Sequence, residues 1–558
     1  MERLTFDTVR RVLCSIRGRP ELILVPVAVQ GLLSISSVGY TLLLRNAIDT
    51  AVQGVEKAFI GSLIAFALLL AIQLVLRAVL RRGQEYALAT MENHLRHRLF
   101  SCLLRKDYAQ VTAVHSGEWL NRMQSDVHVL AEGLCVVLPQ LIGTLVRLAG
   151  AAVMILVLAT QLGLVLMPCG LLAGLCAWSM RKRLKVLHIR SQQKEGAVRV
   201  FLQEALGSLM VVKAYGRQRD VQARADGMMQ EHLRARMRRN AFSNACNLGF
   251  GTAMQGAYLI GLLFCGYGIL NGSMTYGTCM AILQLVGQIQ SPVVSITGHI
   301  PKLVSAMGSA ERLFEAEDLR EDGGSCTAEY EVREYYENHF EGIELRDISF
   351  AYEENGQERH VYSGLNCTIN KGDCVAVTGP SGCGKSTLLK LLMCMYAPDA
   401  GQRILKHDGT GQELSATDRG LFAYVPQGNH LLGGSIRQAL TFGDKARMRD
   451  EEALWSALDA ACALEFVQAL EKGLDTPLGE RGQGLSEGQL QRIAIARALL
   501  SGRPVLLLDE CTSALDEETE ARLIENLRRM TDKTSIIVTH RPRALSVCNR
   551  HCVMAAAE

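Results

Sequence analysis

At 558 residues, the chain is too long for one ordinary core. Its mean hydropathy of +0.13, with 49% hydrophobic residues, is high for a soluble protein, and the apolar residues crowd into the first three hundred positions. Lys plus Arg number 59 against 56 Asp plus Glu, a formal net charge of +3 with no single basic patch, so no nucleic-acid partner is expected. The 17 Cys lack CxxC pairs and His partners at metal spacing, which argues for reduced thiols and against a disulfide framework.

Crossing a hydrocarbon layer takes about 20 apolar helical residues. Six stretches of that kind begin near Glu21, Ala58, Pro139, Gly163, Phe242 and Gly277. The first follows the basic residues Arg10, Arg11, Arg17 and Arg19 and is too long for a signal-peptide core, so it is expected to remain as a membrane helix. The segments Arg81 to Arg122 and Arg181 to Arg239 are long and basic, whereas Thr160 to Gln161 and Asn271 to Tyr276 are short and uncharged. The basic loops, and with them both termini, should face the cytoplasm. In the first loop Arg122 and Asp126 stand four apart, the spacing of an exposed ion pair on one helical face. Arg147, Gln255, Gln284 and Gln288 lie within apolar runs, where a polar group either lines a substrate cavity or bonds to a neighbouring helix.

From about Gly342, short β-branched runs alternate with Gly and helical stretches, the pattern of an α/β domain with a largely parallel sheet. The run Cys374-Val-Ala-Val-Thr-Gly-Pro-Ser-Gly-Cys-Gly-Lys-Ser-Thr-Leu-Leu fits G-x-x-x-x-G-K-[ST] from Gly379 to Ser386, after a strand pattern and before a helix pattern. Glycines let backbone N–H groups converge on a polyphosphate, and the helix beginning near Lys385 adds its positive end. Gly379, Pro380, Ser381, Gly382, Cys383, Gly384, Lys385, Ser386 and Thr387 are therefore the expected phosphate cradle for ATP. Lys385 neutralises the β- and γ-phosphates there, and Ser386 is a ligand for Mg²⁺. Further on, the buried-strand pattern Val505-Leu-Leu-Leu-Asp509-Glu510 ends in two carboxylates. Asp509 can hold the Mg²⁺ shell while Glu510 polarises the attacking water. His540 ends another such strand, Ser535-Ile-Ile-Val-Thr-His540, where it can reach the γ-phosphate edge.

Leu485-Ser-Glu-Gly-Gln489, followed by Leu-Gln-Arg-Ile-Ala-Ile-Ala-Arg-Ala-Leu, resembles the signature motif of ATP-binding cassette (ABC) proteins. Tyr352 then stands where an aromatic ring stacks on adenine. Gln427 in Tyr-Val-Pro-Gln is similar to the Q-loop and so to a Mg²⁺ contact, Ser513-Ala-Leu-Asp516 to the D-loop, and His540 to the switch histidine. The membrane half resembles the six-helix exporter-type domain. In it, Gly117-Glu118 to Asp126 and Glu204 to Lys213-Ala-Tyr-Gly216 look like the two cytoplasmic loops whose short coupling helices meet the cassettes.

The resemblance implies a six-helix membrane domain over 1–320, a linker over 321–341 and an ATP-binding P-loop cassette over 342–558. It also implies a second half-transporter, identical or related, whose phosphate loop is completed by Ser486, Gly488 and Gln489 across the dimer. ATP hydrolysis would then drive export of an unidentified substrate through a multi-pass protein of a bacterial plasma membrane. A heterodimeric subunit, an importer and an ATP-gated regulator remain open alternatives. Two departures from the pattern stand out. Glu487 replaces the glycine usual at the third position of the signature, and after Val553-Met554 the sequence finishes in Ala-Ala-Ala-Glu558, which leaves the last sheet edge in question.

Overall fold

The structure is a computed structural model that describes residues 6–16, 18–324, 329–354, 357–428, 430–479 and 484–554. Its contacts divide the chain into two units, Met1–Ser101 with Gly117–Glu317, and Cys102–Ser116 with Asp318–Glu558.

The first unit is helical. The six expected apolar stretches fall on the helices Glu21–Val52, Glu56–Leu103, Leu138–Leu158, Thr160–Gly207, Gln218–Leu270 and Tyr276–Asp318. Among the described residues, Glu21–Val52, Glu56–Leu103, Ser116–Leu158 and Gln218–Leu270 are long and apolar enough to cross a membrane. With no water to satisfy it, backbone in lipid must bond to itself, and a helix does so within one segment. Polar side chains supply contacts between the helices: Ser34 donates to the Gly143 carbonyl at 2.7 Å, and Gln73 donates to the Ser36 carbonyl at 3.2 Å. The close approach at Gly143 leaves no space for a Cβ, which would sit 2.3 Å from Gln30 Cγ.

The expected Arg122 and Asp126 pair does not form. The segment Arg122–Asp126 is a π-turn, as is Gly133–Val137, so the four-residue spacing no longer stacks side chains on one exposed face. Both residues are buried instead, and each takes its own partners. Arg122 bonds to Glu118, Glu315 and the Arg312 carbonyl, while Asp126 accepts from Ser309 at 2.9 Å and from Arg312.

The second unit contains eleven strands among the described residues: β1 (Phe340–Glu354), β2 (Gln357–Asn370), β3 (Cys374–Thr378), β4 (Ala400–His407), β5 (Thr410–Glu413), β6 (Phe422–Val425), β7 (Gly434–Ser435), β8 (Pro477–Leu478), β9 (Val505–Asp509), β10 (Thr534–Val538) and β11 (Arg550–Val553). The expected parallel sheet is present in the order β11-β3-β10-β9-β6. A second sheet, β2-β1-β4-β5, is antiparallel and was not anticipated. β9 and β10 are buried at every position, which accounts for the apolar runs Val505–Leu508 and Ile536–Val538 within them. β11 holds the edge of the parallel sheet, where the Met554 N–H donates to the Thr378 carbonyl at 2.8 Å. The final Ala-Ala-Ala-Glu558 lies outside the described residues. The stretch expected to be linker contains the helix Glu329–Asn338.

The segment Cys102–Ser116 packs with the cassette residues. Asp107 N–H donates to the Arg320 carbonyl and Asp322 N–H to the Arg105 carbonyl, each at 2.9 Å, and Arg419 binds the Asp322 carboxylate. Asp107 also caps the short helix Tyr108–Ala113, whose first ring meets Tyr396 edge-on at 5.8 Å. This short helix precedes Gly117, upstream of the stretch that sequence pattern marked. In the second loop, Leu209–Ala214 falls within the marked stretch.

Candidate functional site

Parallel register places the site. Val538 of β10 is level with Val377 of β3 on one side and with Asp509 of β9 on the other, while β6 pairs beside β9. All four strands therefore end at one edge. The residues that follow them, Gly379, Gln427, Glu510 and His540, emerge from that edge, the usual position of a ligand site in such sheets.

The phosphate loop turns from β3 into the helix Lys385–Leu392 through three glycines with positive φ: Gly379 at 154°, Gly382 at 83° and Gly384 at 98°. Cys383 is buried beneath the loop, while Pro380, Ser381 and Gly382 are exposed. The Lys385 ammonium lies against the loop, donating to the Gly379 and Pro380 carbonyls at 3.0 and 2.9 Å. Tyr362 donates its hydroxyl to the Gly384 carbonyl, and a Cβ at Gly384 would meet Val361 Cγ1 at 2.4 Å. Gly384→Ala is thus both conformationally strained and overpacked. It should cost about 1–3 kcal/mol of cassette stability and weaken ATP binding about tenfold or more, read by thermal unfolding and nucleotide titration.

Asp509 is buried and hydrogen-bonded to Ser386, with Tyr424 donating to its Oδ2 at 3.4 Å. Burial holds its carboxyl above the ordinary aspartate value, and the Glu510 charge adds to the rise, whereas the bonds from Ser386 and Tyr424 oppose it. Its Oδ1 is buried without a hydrogen-bond partner. A carboxylate oxygen left over beside a serine hydroxyl fits a hard, oxygen-seeking cation such as Mg²⁺.

Glu510 adopts a left-handed backbone, φ 47°, a conformation that costs a non-glycine residue about 1–2 kcal/mol. Its N–H donates to the Val538 carbonyl at 3.1 Å, which fixes the turn. The carboxylate sits between Gln427, whose Nε2 donates at 2.9 Å, and His540, whose Nε2 is 4.0 Å away. Gln427, 83 positions before Glu510 in the chain, thus forms one cluster with Glu510 and His540. Tyr352 reaches the same helix by another route, its hydroxyl sharing a 3.0 Å bond with Thr387 and its ring packed edge-on against Phe350 and Tyr396.

Ser486 caps the helix Glu487–Leu500. Gln489 N–H donates to its Oγ at 3.3 Å and the Gln489 side chain accepts from Ser486 N–H at 2.8 Å, a reciprocal capping box that engages Gln489 locally. Gly488 is needed for close packing, since a Cβ would lie 2.7 Å from the Ala514 carbonyl oxygen. Glu487 is exposed, as a carboxylate in the first turn of a helix favours. Among the described residues no hydrogen bond joins Ser486, Gly488 or Gln489 to the phosphate loop of the same chain. Sequence reasoning missed Tyr362, Tyr424 and Gln491. Gln491, buried one turn into the helix, donates to Ser513 Oγ at 3.0 Å and accepts from Ala514 N–H at 3.2 Å.

A glycine-rich phosphate loop, a buried aspartate beside its serine and a glutamate at the same sheet edge define a P-loop nucleotide-binding protein, here carried on a chain of long apolar helices. The comparisons narrow the class: the profile of the ABC transporter transmembrane region matches residues 22–293, and that of the ABC transporter matches residues 362–513. The chain is 30% identical over 467 residues to the ATP-dependent lipid A-core flippase of Chromobacterium violaceum, covering 82% of this chain and 77% of that one. It is also 28% identical over 456 residues to ABC transporter B family member 1 of Dictyostelium discoideum, covering 80% of this chain but only about half, 48%, of that relative's length. The chain belongs to the ABC transporter family. Its fold is that of a bacterial Atm1-family ABC exporter solved with ATP bound, with a TM-score of 0.77 at 22% identity over 96% of this chain and 94% of that one.

Proposed function

We propose that this chain is one half of a dimeric, ATP-driven membrane exporter. The observation that carries the reading is the convergence of Lys385, Ser386, Asp509, Gln427, Glu510 and His540 at one sheet edge, on a chain whose other unit is built of membrane-length helices.

In this reading the phosphate-loop amides and Lys385 bind the β- and γ-phosphates of ATP, and Tyr352 serves the adenine end. Ser386, Asp509 and Gln427 would hold Mg²⁺, which would neutralise phosphate charge. Glu510 accepts a proton from the attacking water, oriented by Gln427, while His540 steadies the γ-phosphate edge. Ser486 and Gly488 present a helix N-terminus to the phosphate loop of the other cassette. Two features support a partner: among the described residues the signature makes no bond to its own phosphate loop, and the short second-loop helix carries Met210 and, just beyond it, Tyr215, 85% and 78% exposed. The ATP-binding unit and both termini lie on the cytoplasmic side, in line with the basic loops. The reading assigns 1–320 to the membrane domain, 321–341 to the linker and 342–558 to the cassette. The similarity to a bacterial flippase supports a bacterial plasma membrane as its site.

A cavity of about 700 Å³ in the helical unit is lined by Arg147, Gln284 and Gln288 together with Leu44, Tyr258 and Met280. Gln288 uses its amide nitrogen between helices, donating to the Ser37 carbonyl and Thr41 hydroxyl at 3.1 Å. Arg147 Nε and both glutamine Oε1 atoms are buried without partners. Such a lining suits an amphiphile with an anionic head. Gln255 lines a second cavity, of about 600 Å³. In proteoliposomes, dodecyl phosphate should stimulate ATPase about threefold where dodecyltrimethylammonium does not, and Arg147→Gln should remove the difference. Equal stimulation by both amphiphiles would contradict the assignment of the cavity. The exporter reading itself is tested by ATP-dependent accumulation of a fluorescent anionic lipid in inside-out vesicles. Loss of accumulation with non-hydrolysable ATP is expected, and an ATP-gated ion current without accumulation would replace the reading.

A further inference from the structure

The backbone carbonyls of the loop Ser513-Ala-Leu-Asp516 are gripped by a side chain that no motif assigns. Arg541 follows His540 directly in the chain, and its guanidinium donates to the Ser513 carbonyl at 2.8 Å and to the Leu515 carbonyl at 3.0 Å. A third donor reaches Glu520 Oε2 at 3.0 Å. The Glu520 side chain is only 3% exposed, and its other oxygen has no hydrogen-bond partner, so its charge is balanced by Arg541. Arg541 N–H donates to Thr539 Oγ1 at 3.1 Å, which holds the turn that carries His540. The same loop is also held by Gln491 from the signature helix, which bonds to Ser513 Oγ and Ala514 N–H.

We infer that Arg541 is a positioning residue for hydrolysis, a clamp that fixes His540 relative to Glu510. The chain leaves Glu510, runs through Cys511 to Asp516 and enters a helix capped by the Asp516 side chain. The Glu510 N–H bond to the Val538 carbonyl already ties the two turns together at the sheet edge, and with Arg541 clasping the loop, Glu510 and His540, 4.0 Å apart, become two ends of one closed ring. Only arginine can do this. Its planar fork offers five N–H donors in fixed directions, enough for two carbonyls and a carboxylate, whereas a lysine ammonium is a single point with a flexible stem. The clamp touches neither the phosphate loop nor Tyr352, so its loss acts mainly on turnover, through the placement of His540 and Glu510, while the phosphate-loop contacts that carry most of the nucleotide affinity are kept. The signature helix holds the same loop through Gln491, which gives the dimer-facing motif a direct mechanical line to the hydrolytic pair.

The inference rests on the proposed roles of Glu510 and His540, and its test separates the two. The full chain in lipid nanodiscs is assayed for ATPase as Arg541→Ala, Arg541→Lys, Glu520→Gln and, as a control, Glu510→Gln. A misplacement of about 1 Å in a catalytic group can cost about 100-fold in rate. Arg541→Ala should therefore lower kcat about 30-fold or more with KM for ATP within about twofold of the parent, and Arg541→Lys should recover part of the loss. Glu520→Gln keeps the shape and one acceptor and should lower kcat less, about three- to tenfold, which keeps the question answerable if Arg541→Ala does not fold. Turnover within about twofold of the parent in Arg541→Lys and Glu520→Gln, or kcat and KM changing together, would overturn the clamp. Parental turnover in Glu510→Gln would instead remove the reading beneath it.

Discussion

Glu510→Gln lowers ATP turnover by about 100-fold or more while leaving ATP affinity within a few-fold of the parent, as measured by steady-state hydrolysis and by equilibrium nucleotide binding. The amide keeps the shape of the carboxylate but cannot accept a proton from water, and a positioned general base contributes about 10²- to 10⁴-fold. In the proposed role, Glu510 is held for that task at a cost. It holds a left-handed backbone, φ 47°, with its N–H tied to the Val538 carbonyl, and its carboxylate rests between Gln427 and His540. Strain kept at a site of this kind points to function, since a glycine would fold there more cheaply. Because the phosphate loop is untouched, the mutant should bind ATP, close with its partner and remain closed. Unchanged hydrolysis would remove Glu510 from the chemistry.

Lys385→Ala acts at the earlier step. The ammonium is buried and already directed along the loop by the Gly379 and Pro380 carbonyls, so in the proposed role it would meet the β- and γ-phosphates with little reorganisation. Charge-assisted hydrogen bonds contribute about 1.5–3 kcal/mol each, and losing this one should weaken ATP binding about 10- to 100-fold. The same substitution frees two loop carbonyls that lose their donor, so the affinity loss should be accompanied by a lower melting temperature of the nucleotide-free protein. ATP titration followed by tryptophan-independent means, such as a fluorescent analogue, measures the first. Full-strength binding would contradict the assignment of the phosphate loop.

The elements most legible from sequence were those whose signal is local. Gly379 to Ser386 needs its glycines in a fixed order because the backbone there has positive φ, and Val505 to Leu508 is apolar because that strand is buried on both faces. The apolar runs announced the membrane helices for the same reason, since lipid admits few other residues. What escaped was long-range or irregular. The antiparallel sheet of β1, β2, β4 and β5 is partly exposed, with β5 exposed at each position, so no strong alternation marks it. Arg122 and Asp126 were misread because a π-turn changes the residue spacing that the ion-pair rule assumes. Tyr362 and Arg541 act on residues 22 and 28 positions away, through carbonyl groups whose positions only the fold supplies.

The most direct test of the central claim is Mg²⁺-ATPase turnover of the full chain in lipid nanodiscs, measured beside Glu510→Gln with the number of chains per disc determined in the same sample. The account predicts turnover in discs that hold two chains, little in discs that hold one, and its loss in Glu510→Gln. Turnover of equal rate in single-chain discs, or turnover that survives the substitution, would contradict a hydrolytic site shared between two cassettes.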